Sequence, residues 1–258
     1  MKKSGQVLTV VLLVSAVVAL LIFGLARVAP GHNDDATARP ALAETLLAPT
    51  PPSEQFDHRP TLLVVGDSYV GGTGDPTVVV YPEQVADEMG WNVRIDAVGG
   101  SGYVSNVTES GRKRPSLIER LPADKASYTP DIVLVDAGRN DLALDPAAVV
   151  PEIDRYLTEV RAAWPDAQIV VVKPQFASAA VPANYPPLAN AIDEIATRIG
   201  AATIDPVTEG WWTGIDLEPL LFADKVHLNG AGTTYYADKI AEALNKISIA
   251  SIESPGGN

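Results

Sequence analysis

Cysteine is absent from this chain of 258 residues, and histidine is nearly so, with three residues. Without thiols the chain forms no disulfide bonds, performs no thiol catalysis and offers a metal no thiolate ligands. His32 and His58 precede the regular part of the sequence, so His227 is the one imidazole available within it. With a single imidazole and no thiol, we expect no transition-metal site.

Positive charge is also scarce. The chain has 19 Lys and Arg residues against 32 Asp and Glu residues, a formal net charge of −13. Nucleic acids require a basic surface, so they are excluded as partners. The basic cluster Arg112–Arg114 is interpreted as a solvated surface turn, in preference to a contact with phosphate or an anionic glycan.

One long hydrophobic segment opens the chain. Val7 to Ala26 contain no charged residue and follow Lys2 and Lys3. As a helix this segment would be about 30 Å long, enough to cross a bilayer. The lysines favour a cytoplasmic N-terminus and an extracytoplasmic remainder. We therefore predict a transmembrane signal anchor over residues 1–28, which would attach the protein to a membrane. Cleavage of this segment would instead give a secreted protein.

The rest of the chain has three parts. Residues 29–59 are rich in proline and alanine and predict a flexible linker, and residues 248–258 predict a disordered tail. Between them, residues 60–247 alternate short apolar runs with helical patterns, which predicts a three-layer α/β/α domain. The predicted strands cover residues 62–65, 93–97, 132–136, 169–172 and 202–204, and the predicted helices cover residues 82–89, 116–121, 146–164, 187–199 and 231–247.

Two motifs at opposite ends of this domain suggest a reaction centre. Ser68 follows the first predicted strand in Gly66-Asp67-Ser68. That position exposes a hydroxyl at the carboxyl edge of a sheet, where α/β folds bind ligands. His227 lies three residues after Asp224, a spacing that lets the carboxylate hold Nδ1–H while Nε2 accepts a serine proton. An ion pair or a helix entry, with Asn229 as the cap, would explain the same residues.

Two further motifs follow predicted strands. Gly99-Gly100-Ser101-Gly102 can bring backbone N–H groups close to a ligand, or can form a tight turn. Asn140, within Gly138-Arg139-Asn140-Asp141, can donate its amide into a cleft or cap the next helix.

The four motifs together resemble the SGNH hydrolases, also called GDSL esterases and lipases, across residues 61–246. The resemblance implies a flavodoxin-like five-stranded parallel sheet and an enzyme that needs no cofactor. It implies that Ser68 is the nucleophile, His227 the general base and Asp224 its partner. The oxyanion hole would consist of the Ser68 and Gly102 N–H groups and the Asn140 amide, with Gly100 as the alternative to Gly102.

Other residues are candidates for a second nucleophile or for substrate binding. Ser101 nearly fits the nucleophile elbow Gly-x-Ser-x-Gly, but Tyr103 occupies the closing glycine position. Asp67 and Arg139, which lie within the motifs, are candidate substrate-binding residues. Trp211 and Trp212 could stack on a sugar or line an acyl pocket, although packing in the core is favoured.

The predicted function is an extracytoplasmic esterase that hydrolyses acyl esters of lipids or O-acylated glycans. Two alternatives stay open: an acyltransferase that moves the acyl group to a sugar hydroxyl at the cell envelope, and a non-catalytic binding module.

Overall fold

Parallel strands and connecting helices alternate along the chain. The structure is a computed structural model that describes residues 59–72, 77–106 and 111–247. The strands are β1 Thr61–Gly66, β2 Asn92–Ala97, β3 Ile132–Asp136, β4 Gln168–Val172 and β5 Ala202–Ile204. The helices are α1 Tyr81–Met89, α2 Leu117–Ser127, α3 Pro146–Ala163, α4 Tyr185–Ile199 and α5 Gly230–Lys246.

All five strands pair in parallel, in the order β2-β1-β3-β4-β5. The α/β class and the five-stranded parallel sheet are therefore confirmed. The order reverses between β1 and β3, and ligands of such sheets bind at the carboxyl ends of the strands beside this reversal. Ser68 follows β1 and Asn140 follows β3, so the sheet brings their two turns together.

Alternate residues of the central strands point to opposite faces of the sheet. Leu63 and Val65 pack with α2, α3 and α4 on one face, whereas Leu62 and Val64 pack with α1 and α5 on the other. Both faces are covered, which explains why the central strands are apolar along their whole length.

The predicted flanking segments fall almost wholly beyond these ranges. The signal anchor at residues 1–28, the tail at residues 248–258 and the linker at residues 29–59, except Arg59, lie outside the described residues. Among the helices that the structure does describe, none is both long enough and apolar enough to span a membrane.

Candidate active site

Ser68, His227 and Asp224 form a continuous chain of hydrogen-bonded side chains. Ser68 Oγ lies 3.0 Å from His227 Nε2, and His227 Nδ1 lies 2.7 Å from Asp224 Oδ2. A carboxylate can only accept, so Nδ1 carries the proton and Nε2 is left as the base toward Ser68. This is the arrangement that a serine nucleophile requires.

A tight turn sets the carboxylate beneath the imidazole. Asp224 Oδ1 accepts the N–H groups of Val226 at 2.9 Å and His227 at 3.0 Å. The intervening Lys225 has a φ of 57°, a left-handed backbone conformation that residues other than glycine rarely adopt. The His227 side chain and the two N–H groups lower the pKa of Asp224 to about 2, so the carboxylate stays ionised across the physiological range.

Gly66 ends β1 immediately before this site, and it has no room for a side chain. A Cβ there would lie 2.2 Å from the Asp136 carbonyl oxygen on the neighbouring strand. The Gly66 carbonyl accepts a hydrogen bond of 3.1 Å from Arg120 of α2. The turn that carries Ser68 is therefore held against both β3 and α2.

Asp67 is buried, with 2 % of its surface exposed, and it positions neighbouring groups. Its Oδ1 accepts Tyr69 N–H and its Oδ2 accepts Asn140 Nδ2, both at 2.9 Å. Burial raises the pKa of Asp67, and the charge of Arg139 opposes that rise. The structure therefore does not place Asp67 as a substrate-binding residue, because both carboxylate oxygens are enclosed and bonded.

Two of the three predicted oxyanion donors, Asn140 and Gly102, already donate to groups of the protein. Asn140 lies beside the nucleophile turn, yet its two amide hydrogens already bond to Asp67 and to the Ser101 carbonyl at 2.8 Å. The Gly102 N–H donates to the Ser105 carbonyl at 2.8 Å. The structure thus brings these residues to the site while their donors are engaged within the protein. Gly100 has a φ of 77°, which accounts for glycine at that position.

Asp141 organises the glycine loop, a role that sequence reasoning missed. It is fully buried and accepts the N–H groups of Tyr103 at 2.8 Å, Val104 at 3.2 Å and Ser105 at 2.8 Å. A Cβ on Gly102 would lie 2.3 Å from Asp141 Oδ2, so this carboxylate excludes a side chain there. An acidic residue directly after Asn140 was the available signal.

Arg139 contacts Ser68, the predicted nucleophile. Its Nη2 donates to Ser68 Oγ at 2.9 Å, and its Cζ lies 3.9 Å above the centre of the Tyr69 ring. Tyr69 also donates its hydroxyl to the Val226 carbonyl at 2.5 Å, which joins the nucleophile turn to the histidine loop. Sequence reasoning missed Tyr69, because this contact joins residues 157 positions apart.

The two tryptophans and Ser101 do not reach the reaction centre as site residues. Trp211 and Trp212 are each 3 % exposed and pack against the buried Tyr236 ring, at 5.6 Å and 6.1 Å between ring centres. They are buried in the core, which is the packing that the sequence favoured over contact with a substrate, and neither ring has an accessible face. Ser101 is fully buried and donates its hydroxyl to the Val98 carbonyl at 2.7 Å.

A buried acid lies behind the nucleophile turn on β3. Asp136 accepts the hydroxyl groups of Tyr81 at 2.8 Å and Tyr236 at 3.0 Å. Burial and the neighbouring Asp67 raise the pKa of Asp136 to about 7, although the two tyrosine hydrogen bonds oppose the rise. This network ties the site edge of β3 to α1 and α5.

A family model and a curated protein both match this chain over most of the described domain. The model of the GDSL-like lipase/acylhydrolase family matches residues 64–234. The GDSL lipase Rv0518 of Mycobacterium tuberculosis is 28 % identical over 192 residues, which cover 70 % of this chain and 80 % of that protein.

Solved structures share the fold at low identity. TesA superposes with a TM-score of 0.56 at 21 % identity, covering 72 % of this chain and 98 % of its own. A family two carbohydrate esterase from Clostridium thermocellum gives a TM-score of 0.57 at 16 % identity, covering 74 % of this chain and 64 % of its own.

Proposed function

The chain belongs to the GDSL-like lipase/acylhydrolase family, whose members hydrolyse ester bonds, and we propose that it does so through Ser68, His227 and Asp224. The observation that carries this proposal is the chain of hydrogen bonds from Ser68 Oγ through the imidazole to Asp224, with links of 3.0 Å and 2.7 Å. These residues come from both ends of the domain, so their alignment is a specific outcome of the fold.

The reaction proceeds through an acyl-enzyme. Ser68 Oγ attacks the ester carbonyl while its proton passes to His227 Nε2, and Asp224 stabilises the resulting imidazolium. The tetrahedral intermediate collapses when His227 returns the proton to the leaving alcohol. Water then attacks the acyl-enzyme by the same steps, with His227 first as base and then as acid.

The substrate is an acyl ester of a lipid or an O-acylated glycan. The large exposed hydrophobic residues of the described domain all follow the carboxyl ends of strands, on the edge that carries Ser68. Val79 lies between β1 and α1, Val181 between β4 and α4, and Ile215 and Val226 between β5 and α5. Exposed apolar side chains in the loops of this edge favour a substrate that carries an alkyl chain. The names of two relatives, a lipase and a carbohydrate esterase, are compatible with both substrate classes.

Hydrolysis is favoured over acyl transfer. The His227 side chain is 22 % exposed and that of Asp224 is 48 % exposed, so water reaches the base directly. A transferase must protect its acyl-enzyme from water, and this open imidazole does not help it to do so. The location that we propose, outside the membrane on an N-terminal anchor, rests on the sequence of residues 1–28.

The test uses the full chain in detergent with p-nitrophenyl esters from acetyl to palmitoyl. Ser68→Ala should reduce turnover by about 10⁴-fold or more, whereas Ser127→Ala, at an exposed position of α2, should behave as wild type. A fluorophosphonate should label wild type at Ser68, as located by mass spectrometry. Full turnover by Ser68→Ala, or labelling elsewhere, would refute the proposal. Accumulation of acylated sugar, when sugar acceptors are added, would favour the transferase.

A further inference from the structure

Arg139 has an unusual set of partners for a largely buried guanidinium. Its side chain is 12 % exposed, and its closest carboxylate oxygen, Asp67 Oδ1, is 3.8 Å away, beyond hydrogen-bond distance. Its buried Nε has no hydrogen-bond partner within the described residues. The direct hydrogen bond of the side chain goes instead to Ser68 Oγ, at 2.9 Å.

Two other arginines, the buried Arg120 and the half-buried Arg161, use their donors differently, although Arg120 Nε also lacks a hydrogen-bond partner within the described residues. Arg120 pairs with Asp96 at 3.1 Å and with the Gly66 carbonyl. Arg161 of α3 donates to the Ile199 carbonyl at the end of α4, at 3.0 Å, and to the Ala167 carbonyl just before β4, at 2.8 Å. Those two side chains join structural elements. Arg139 instead donates a hydrogen bond to Ser68 Oγ, the reacting atom.

The hydrogen-bond chemistry of Ser68 follows from this contact. Arginine can only donate, so Ser68 Oγ must accept from Nη2. The hydroxyl proton is then directed to its other neighbour, His227 Nε2, 3.0 Å away. The guanidinium therefore selects the hydroxyl orientation from which the proton is transferred.

We propose that Arg139 is a catalytic residue that donates a charged hydrogen bond to the oxyanion of the tetrahedral intermediate. This inference rests on the proposed function and adds to it a donor that bears a full charge. Asn140 and Gly102 have their N–H groups engaged with Asp67, Ser101 and Ser105. Arg139, in contrast, directs one of its N–H groups at Ser68 Oγ, the atom that attacks the ester.

As the Ser68 Oγ–carbon bond forms, the Oγ proton passes to His227, and the π electrons of the carbonyl move to its oxygen. That oxygen is bonded to the carbon that Oγ attacks, so it lies within reach of a donor that contacts Oγ. A hydrogen bond to an anion is stronger than one to a neutral hydroxyl, and the guanidinium therefore stabilises the intermediate more than the resting enzyme.

A guanidinium beside the nucleophile also suits a different role, recognition of an anionic substrate. Measurements of kcat and KM distinguish the two roles. An oxyanion donor acts in the transition state for every ester and changes kcat, whereas a substrate anchor changes KM for anionic esters alone. The ring of Tyr69 beneath Arg139 fixes the guanidinium over the nucleophile for any substrate.

The experiment measures kcat and KM of the full chain with a neutral p-nitrophenyl acetate and an anionic p-nitrophenyl hemisuccinate. Arg139→Gln should lower kcat by about 10²–10³-fold for both esters, with little change in KM. Affinity for butylboronic acid, which forms an anionic tetrahedral adduct on serine, should fall in parallel. Arg139→Lys should recover part of kcat. The control Arg155→Gln, at a residue 62 % exposed on α3, should match wild type.

Several results would overturn the proposal. An Arg139→Gln kcat within about threefold of wild type would do so, as would a loss confined to KM for the hemisuccinate. If the substitutions prevent folding, arginine-selective ¹⁵N NMR of wild type is decisive: the boronate adduct should produce a new slowly exchanging guanidinium proton, and its absence refutes the role. Failure of the proposed function is distinct, because wild-type turnover would then persist in Ser68→Ala.

Discussion

Gly102 and Asp141 compete for the same space, so substitutions at the two positions should not be additive. The three atoms nearest to a Cβ built on Gly102 all belong to the Asp141 carboxylate, at 2.3–2.7 Å. The φ of Gly102 is outside the left-handed region, so an alanine at that position is opposed by the Asp141 carboxylate and not by backbone strain. Replacing Asp141 should remove that opposition.

The magnitudes follow from the contacts. Asp141→Ala leaves three N–H groups without their acceptor, at about 1–3 kcal/mol for each buried donor. Val104 and Ser105 are half-buried and can be hydrated, so we expect a loss of about 3 kcal/mol in total. Gly102→Ala alone should also cost about 3 kcal/mol, through overlap and displacement of the carboxylate. In the Asp141→Ala background the same alanine should cost less than about 0.5 kcal/mol.

The assay is a double-mutant cycle by urea unfolding of the full chain, followed through the buried tryptophans. We expect the double variant to be more stable than the sum of the single effects predicts, by about 2.5 kcal/mol or more. Gly66→Ala is the matched control, because its Cβ would meet backbone of Asp136, and Asp141→Ala cannot relieve it. Additivity within about 0.5 kcal/mol at the first pair would refute the reasoning.

Two further outcomes are expected. The unfolded chain releases the Asp136 proton near pH 4 and the folded protein near pH 7, so the unfolding free energy falls as pH rises between these values, by up to about 1.4 kcal/mol per pH unit. Asp136→Asn should reduce this slope in urea titrations, and Asp67 and Asp124, whose pKa values burial also raises, contribute to the remainder; an unchanged slope would contradict the assignment. Trp212→Ala should lower the unfolding free energy by about 3–5 kcal/mol and leave KM unchanged, because Trp212 packs in the core. A rise in KM without loss of stability would place it at the substrate instead.

The sheet could be predicted because each strand carries its own signal. The apolar runs of β1, β3 and β4 are buried on both faces, so the pattern is continuous within each segment. Element ends were harder to predict. The sequence pattern predicts that the second helix ends at Leu121, yet α2 continues through Pro122 to Ser127. The proline removes a single hydrogen bond to the preceding turn, and the capping box of Ser116 and Glu119 stabilises the start of α2.

Candidate residues were identified where the sequence offered few choices. His227 is the only histidine of the folded body, and Asp224 is close to it along the chain. The contacts of Asp141 and Arg139 cross 36–38 and 71 residues, respectively. Local sequence patterns do not reveal contacts between residues so far apart along the chain. Arg139 could therefore be predicted to lie near the substrate, but not to donate to Ser68.

The separation of Ser68 and His227 also links activity to the order in which the chain is made. The two residues are 159 positions apart, and the loop that carries His227 lies after the last strand, β5. Under the proposed mechanism, a nascent chain that already contains the first four strands has its nucleophile but no base, so we expect ester cleavage to begin only after nearly the whole domain has been synthesised and has folded. Turnover of a chromogenic ester is therefore a direct reporter of complete folding, sensitive to truncation or misfolding at either end.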